Sequence, residues 1–325
     1  MHYNSPSSHR LTKTPKLIAV VLCLLDVLWP AAAVASTVGW DDDDFLISGF
    51  DSNTIGVFDH DLTFKGNLVT GFDRVTGLDF DAAGNLVAVG RGPGQVRVFS
   101  PEGVQLSSFV NSDIQAAGDL RVGPSGDYYV GGVLSSGFGV MEFTPNGTTG
   151  RTFDTDPFAT SLAALPGGVL WVSGGLAEDG ISVFDISNGN DIGTINFDNG
   201  QFDARTMRYS QATETVLMLD GLSGVFERQT DGHFVRSFTA NGLERPLGIT
   251  RGPNRDVFVT DLDDNGVYRW SADGTFVGFI ALGDGLETPV NILWTGNSPT
   301  VIPEPASATC CLAILGLATL RRRVS

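Results

Sequence analysis

Cysteine is absent from residue 24 to residue 309; the three in the chain are Cys23, Cys310 and Cys311. No disulfide can staple that stretch and no thiol can act in it, so its stability has to come from packing. Histidine is nearly as scarce. Beyond the first ten residues only His60 and His233 remain. That leaves little material for imidazole general-base chemistry or for a Ser-His-Asp arrangement. Positive charge is short too. Residues 36–302 carry 14 Lys and Arg against 35 Asp and Glu, a net of about −21. A surface of that sign repels phosphate backbones and anionic membranes, so nucleic acid is a poor partner, while divalent cations are attracted. No long apolar stripe of helical period occurs between residues 40 and 300, which argues against a helical core.

What is present instead is glycine, 41 residues of it, placed in a repeating sentence. Leu247 to Ile280 contains four short β-type segments: Leu247–Thr250, Val257–Thr260, Gly266–Trp270 and Phe276–Ile280. The links between them, Pro-Asn-Arg-Asp, Asp-Asp-Asn-Gly and Ala-Asp-Gly, are turn compositions, in which Asp and Asn hydrogen-bond nearby backbone and Gly accepts positive φ. Asp273-Gly274 is a hairpin signal. The apolar anchors of the opening segments are Leu78, Leu120, Leu162, Met207, Ile249 and Ile292, in steps of 42, 42, 45, 42 and 43 residues. Four strands per unit at that period point to an all-β chain folded as a β-propeller, whose blades bury their apolar faces against neighbours.

The count is six. After Ile292 and Trp294 the pattern stops at its first strand, and the N-terminal part begins mid-unit: residues 45–50, 54–61 and 64–69 read as strands two, three and four. One blade is therefore expected to be closed by strands from both ends, which removes an open edge.

Residues 1–35 read as a signal peptide with a helical apolar region. Arg10, Lys13 and Lys16 precede an apolar run, Leu17–Trp29, and Ala33 and Ala35 flank a cleavage site that makes Ser36 the new N-terminus. Asp26 inside the run costs about 3 kcal/mol on an insertion scale, which several Leu and Val at about −0.5 each offset. Residues 36–299 form the propeller. Residues 300–325 are a tail: Pro303-Glu304-Pro305, an apolar run Ala308–Leu320, then Arg321-Arg322-Arg323. A helix over Ala306–Leu320 is about 22 Å long, a short transmembrane helix against a hydrocarbon core of roughly 30 Å, with its basic cluster on the cytoplasmic side.

Those three parts, in that order, resemble the PEP-CTERM protein-sorting tail. The resemblance covers the last 25 residues and implies export through the general secretory route in a Gram-negative bacterium, recognition of the tail by an exosortase, membrane attachment before processing, and residence at the cell envelope, the outer surface or an exopolysaccharide matrix, where an exopolysaccharide or a surface protein would be the partner. Separately, the repeats resemble NHL-type six-bladed propeller repeats over residues 40–297, most clearly in GNLVAVGRGPGQVRVFSPEG (84–103) and RDVFVTDLDDNGVYRWSADG (255–274). This second resemblance implies a binding platform, or an enzyme of the lactonase or lyase kind; it speaks for architecture and says little of function.

Candidate sites are few. Asp261-Leu262-Asp263-Asp264-Asn265-Gly266 looks like a calcium loop, but position twelve is Ala272, where an EF-hand needs a bidentate Glu. It reads as a hairpin turn. Asp41–Asp44 reads as a solvated lead-in. His60 and His233 fall in links between strands three and four, away from a central channel. The residues just before the inner-strand anchors are Gly77, Asp119, Ser161, Thr206, Gly248 and Asn291. Asp119, Asn291, Glu287 and Thr206 are the expected ligand-binding set at the channel mouth. The lactonase resemblance would require a Glu/Asn/Asp set on one divalent cation, and Glu287, Asn291 and Asp119 come nearest to it. No cofactor is required by the rest of the pattern; calcium is the one to test. The expected function is a non-catalytic binding or scaffold module of the envelope or matrix, with a divalent-metal-dependent hydrolase as the rival.

Overall fold

The computed structural model describes residues 38–155, 159–174, 180–196, 204–220, 224–239, 242–283 and 286–297. The expected signal peptide with Ala33, Ala35 and Ser36, and the sorting tail with Pro303, Glu304, Pro305, Arg321, Arg322 and Arg323, lie outside the described residues, as do the helices expected there. Among the described residues no helix is long and apolar enough to cross a membrane.

Turn chemistry cuts the described chain into short strands. In the hairpin after Phe80, the Asp81 carboxylate accepts the Ala83 and Asn85 amides at 2.9 and 2.8 Å, and Gly84 takes a φ of 78° that a Cβ would resist. The same device recurs at Asp273, which accepts the Thr275 amide at 2.9 Å. Twenty-four strands result, in six antiparallel four-stranded sheets. Blade 1 combines β1 (Phe45–Gly49), β2 (Thr54–Phe58) and β3 (Phe64–Thr70) with a strand from the other end of the chain. Blade 2 is β4 (Val75–Phe80), β5 (Leu86–Gly90), β6 (Gln95–Phe99) and β7 (Gln105–Val110). Blade 3 is β8 (Ile114–Val122), β9 (Tyr128–Leu134), β10 (Gly137–Phe143) and β11 (Thr149–Asp154). Blade 4 is β12 (Ala159–Leu165), β13 (Val169–Gly174), β14 (Ile181–Asp185) and β15 (Asp191–Ile195). Blade 5 is β16 (Ala204–Ser210), β17 (Thr215–Asp220), β18 (Gly224–Gln229) and β19 (Phe234–Phe238). Blade 6 is β20 (Pro246–Arg251), β21 (Val257–Asp261), β22 (Gly266–Trp270) and β23 (Phe276–Ala281). The strand that completes blade 1 is β24 (Pro289–Trp294).

The first strand of each blade neighbours that of the next, β4 to β8, β12, β16, β20, β24 and back to β4, so the sheets close into a six-bladed β-propeller around a central channel. Six apolar cores lie between successive blades. Successive residues of a second strand point into different cores: Leu86 and Ala88 face blade 1, while Val87 and Val89 face blade 3. Leu217 and Leu219 likewise face blade 6, and Val216 and Met218 face blade 4. These strands are buried on both sides, which is why VLMLD and LVAVG read as unbroken apolar runs.

The two ends meet as expected. β24 runs antiparallel beside β1 with Phe45 opposite Trp294 and Ile47 opposite Ile292. Just beyond the pair, the Thr295 amide donates to the Asp44 carbonyl and the Asp44 amide to Thr295 Oγ1, both at 2.9 Å. Asp41–Asp44 departs from a solvated lead-in at its last member. Asp41, Asp42 and Asp43 are exposed, but Asp44 is buried and accepts from Lys65 Nζ at 2.6 Å and from the Asp41 amide at 2.8 Å. Its charge is paired because a buried carboxylate without a partner would be costly.

Candidate functional site

Each inner strand starts on one face of the ring, called here the upper face, where the turns between second and third strands also lie. A cavity of about 660 Å³ opens there. All six inner strands line it: Thr76 from β4, Asp119 from β8, Thr160 from β12, Thr206 from β16, Leu247 from β20, and Val290 with Asn291 from β24. The rim is built from turns and strand entries, with Phe50, Asp51, Arg91, Leu262, Arg245 and Arg205.

Below the rim, polar groups on the inner strands form a closed circuit, each reaching the next blade. Thr76 Oγ1 donates to the Ala117 carbonyl at 3.2 Å. Asp119 Oδ2 accepts the Leu162 amide at 3.0 Å. Ser161 Oγ accepts the Met207 amide at 2.6 Å, and Thr206 Oγ1 donates to the Leu247 carbonyl. Thr260 Oγ1 accepts the Gly248 amide at 2.9 Å and donates to the Val290 carbonyl at 3.4 Å. Asn291 Nδ2 completes the circle on the Thr76 carbonyl at 3.2 Å. Gly248 has no side chain to offer because a Cβ there would stand 2.6 Å from both Thr260 Oγ1 and the Val290 carbonyl; Thr260, from the second strand, takes its place in the circuit.

Beneath the circuit two guanidinium groups cross the channel. Arg121 pairs with Asp119 at 2.6 Å and donates to the Met207 carbonyl at 2.8 Å, two blades away. Arg208 donates to the Ile249 carbonyl at 3.1 Å, the Leu78 carbonyl at 3.0 Å and Asn291 Oδ1 at 3.2 Å, and lies 3.5 Å from Asp79. Both arginines are buried. Burial first, and the neighbouring Arg121 second, pull Arg208 down to about 10, so it stays protonated at neutral pH. Burial pushes the Asp119 carboxyl up, against the pull of Arg121 and of the Leu162 amide. The cavity is thus a cup with a floor of paired charge.

Asp119, Thr206 and Asn291 are brought together in this cup; Glu287 is exposed and is not among its lining residues. Asp119 is already engaged by Arg121 and by the Leu162 and Leu120 amides. Among the described residues no three His, Cys, Asp or Glu side chains are grouped closely enough to share a metal ion. A divalent cation on Asp119 would have to displace Arg121. His60 and His233 sit in the β2–β3 and β18–β19 hairpins with side chains 64% and 80% exposed, far from the cup in the fold. The Asp261 stretch is the β21–β22 turn, and its carboxylate is spent on the amides of Glu244, Arg245, Asp263 and Asp264. The arginines were missed from the sequence. The signal was there in Asp119-Leu120-Arg121 and Thr206-Met207-Arg208: a cation directly after a buried inner-strand anchor, in a domain with few cations.

No family model matches the chain, and no curated protein matches it in sequence. Solved structures do. The crystal structure of a nidogen/laminin complex superposes with a TM-score of 0.63 at 14% identity, covering 77% of this chain and 97% of that one. A protein of unknown function from Bacteroides caccae gives 0.61 at 12% identity, covering 78% and 98%. Virginiamycin B lyase from Staphylococcus aureus gives 0.58 at 13% identity, covering 78% and 86%. The likeness is one of fold. At these identities the six-bladed propeller is shared and nothing about ligand or reaction follows. A catalytically inactive variant of that lyase, with quinupristin, gives 0.57 at 13% identity, covering 78% and 90%.

Proposed function

We propose that the chain is an exported propeller that binds its ligand in the upper cup without covalent chemistry, serving as a binding or scaffold module at the cell surface or in the extracellular matrix. The observation that carries this reading is the closed hydrogen-bond circuit. It commits the inner-strand polar groups to holding blades together, and among the described residues no lining side chain is a His, Cys, Lys, Tyr or Glu that could act as nucleophile or tuned base. Propellers related only by fold include a component of a nidogen/laminin complex as well as a lyase, so the fold accommodates either role. The test is turnover of a panel of lactones by the full chain, with and without millimolar calcium, alongside calorimetric titration of calcium. No turnover is expected. Stoichiometric calcium binding with hydrolysis that vanishes in a folded Asp119→Asn variant would overturn the reading in favour of a metal-dependent hydrolase.

The cellular address belongs to the same proposal. The signal peptide and the Pro303-Glu304-Pro305 tail support export and exosortase sorting. Replacing those three residues by Ala is expected to leave an unprocessed, membrane-held precursor on an immunoblot of fractionated cells; unchanged processing would remove the exosortase from the account.

A further inference from the structure

Three of the 14 basic residues between positions 36 and 302, Arg91, Arg205 and Arg245, line the cup. Arg121 and Arg208 lie deeper and are not among them, and each already stands beside a carboxylate, Asp119 at 2.6 Å and Asp79 at 3.5 Å. Of the acids among the cup's described lining residues, Asp51 stands on the rim and Asp119 is engaged by Arg121 at 2.6 Å. Arg245 is shared with Asp263 at 3.1 Å. Arg91 has no ion-pair partner among the described residues, and its guanidinium lies 5.8 Å from the ring centre of Phe50. Arg91 is therefore a lining guanidinium open to a bound anion, on a domain of about −21. At physiological salt the screening length is about 8 Å, so the distant surface carboxylates do not cancel it.

The polarity also changes with depth. Thr76, Thr160 and Thr206 give their protons to the carbonyls of Ala117, Ser173 and Leu247. Their oxygens can then only accept from a bound molecule. On the rim Arg91 does the reverse, because a guanidinium only donates, and in a fork that matches a carboxylate. Phe50 adds a flat apolar wall. A molecule that fits must carry several hydroxyl donors at one end, an anionic group at the other and an apolar face between, within a volume ordinary for small ligands, roughly 300–1,000 Å³.

We infer that the cup binds a sugar acid: a monosaccharide-sized polyhydroxylated carboxylate, free or as the terminal residue of an acidic polysaccharide, with the carboxylate on Arg91 and the hydroxyls on the threonines below. This rests on the binding reading above and names its ligand class.

The test is calorimetric titration of the full chain with D-glucuronate at 150 mM NaCl, with acetate, inorganic phosphate and D-glucose as comparison probes. Saturable one-site binding of glucuronate is expected, at least tenfold tighter than each of the three. Arg91→Ala should weaken it tenfold or more and Arg91→Lys by less, since a point charge keeps the attraction but not the fork. Arg91 holds the fold through its backbone groups, whose bonds run to Asp73, Arg74 and Ala117, and both substitutions keep these; an unchanged melting temperature verifies it. No glucuronate binding at 50 mM, or an affinity indifferent to Arg91→Ala, overturns the inference. Equal binding of acetate or phosphate overturns it as well, leaving a bare anion site. Glucose binding as tightly as glucuronate, and lost in Phe50→Ala, would overturn the sugar-acid assignment while leaving the cup a binding site. Turnover in the lactone assay, by contrast, sinks the non-catalytic reading whatever glucuronate does.

Discussion

Arg121 and Arg208 cross the channel beneath the cup, and their bonds reach beyond the adjacent blade. Arg121 ties blade 3 to blade 5, and Arg208 ties blade 5 to blades 6, 2 and 1. Removing one member of a buried pair leaves the other charge stranded, which typically costs 3–5 kcal/mol, whereas replacing both by apolar groups is often neutral. Arg121→Met is therefore expected to destabilise by about 3–5 kcal/mol in urea unfolding, and the double variant Arg121→Met with Asp119→Leu by clearly less. A double variant as unstable as the sum of its parts would show that the pair is not the energetic unit. A second buried carboxylate responds to acid. Glu227, on β18, is buried; burial opposes its charge, but Thr215, Arg251 and Arg236 outweigh that and hold its carboxyl below the ordinary value of 4.5. A lowered folded pKa means stability that is present above about pH 4.5 and lost as pH falls through the folded value. The urea midpoint should fall less between pH 5 and pH 3 in Glu227→Gln than in the parent; equal slopes would refute the linkage. Residue-scale features like these were only partly legible. Asp119, Thr206 and Asn291 were recognisable because their place one step before an apolar anchor fixes them on the inner strand. Their partners were not, since a hydrogen bond from Arg208 to Leu78 spans 130 positions and leaves no periodic trace. Glu287 shows the limit from the other side: an entry-loop position does not say which way a side chain faces.

At the scale of elements, strand order and blade count could be read from spacing and turn chemistry, because Asp-Gly hairpins and a period near 42 residues are local properties repeated along the chain. The closing pair of β1 and β24 followed by subtraction, since the pattern began mid-unit and ended mid-unit. What the alternation could not show is how deeply the second strands lie. Val216 to Leu219 face two cores at once, and periodicity alone does not separate such a strand from other short apolar runs. Ile292 is fully buried between blades 1 and 6 on the closing strand. Ile292→Ala should cost about 2–5 kcal/mol by lost burial and the cavity left behind. Limited proteolysis should then cut first near blade 1, because that blade alone depends on pairing between the two ends. A variant cleaved first in another blade would show that closure is not the weak seam. A side chain at Gly77 tests the spacing of the inner ring: its Cβ would stand 2.4 Å from the Leu120 amide nitrogen, so Gly77→Ala should lower the melting temperature although it adds one methyl group.

For the molecule as a whole, the ring carries about −21 with no disulfide between residues 24 and 309. Like charges around a closed ring repel across blades, and salt screens them. The melting temperature is expected to rise as sodium chloride goes from 10 to 300 mM, the reverse of what a surface held by ion pairs would give. The pairing of Asp44 with Thr295 has a consequence for orientation. It brings both strand ends out through the floor side of the ring, opposite Phe50 and Arg91. A surface that holds the ring by the Asp44–Thr295 seam therefore meets its back. The mouth then points away from that surface, toward the surrounding medium.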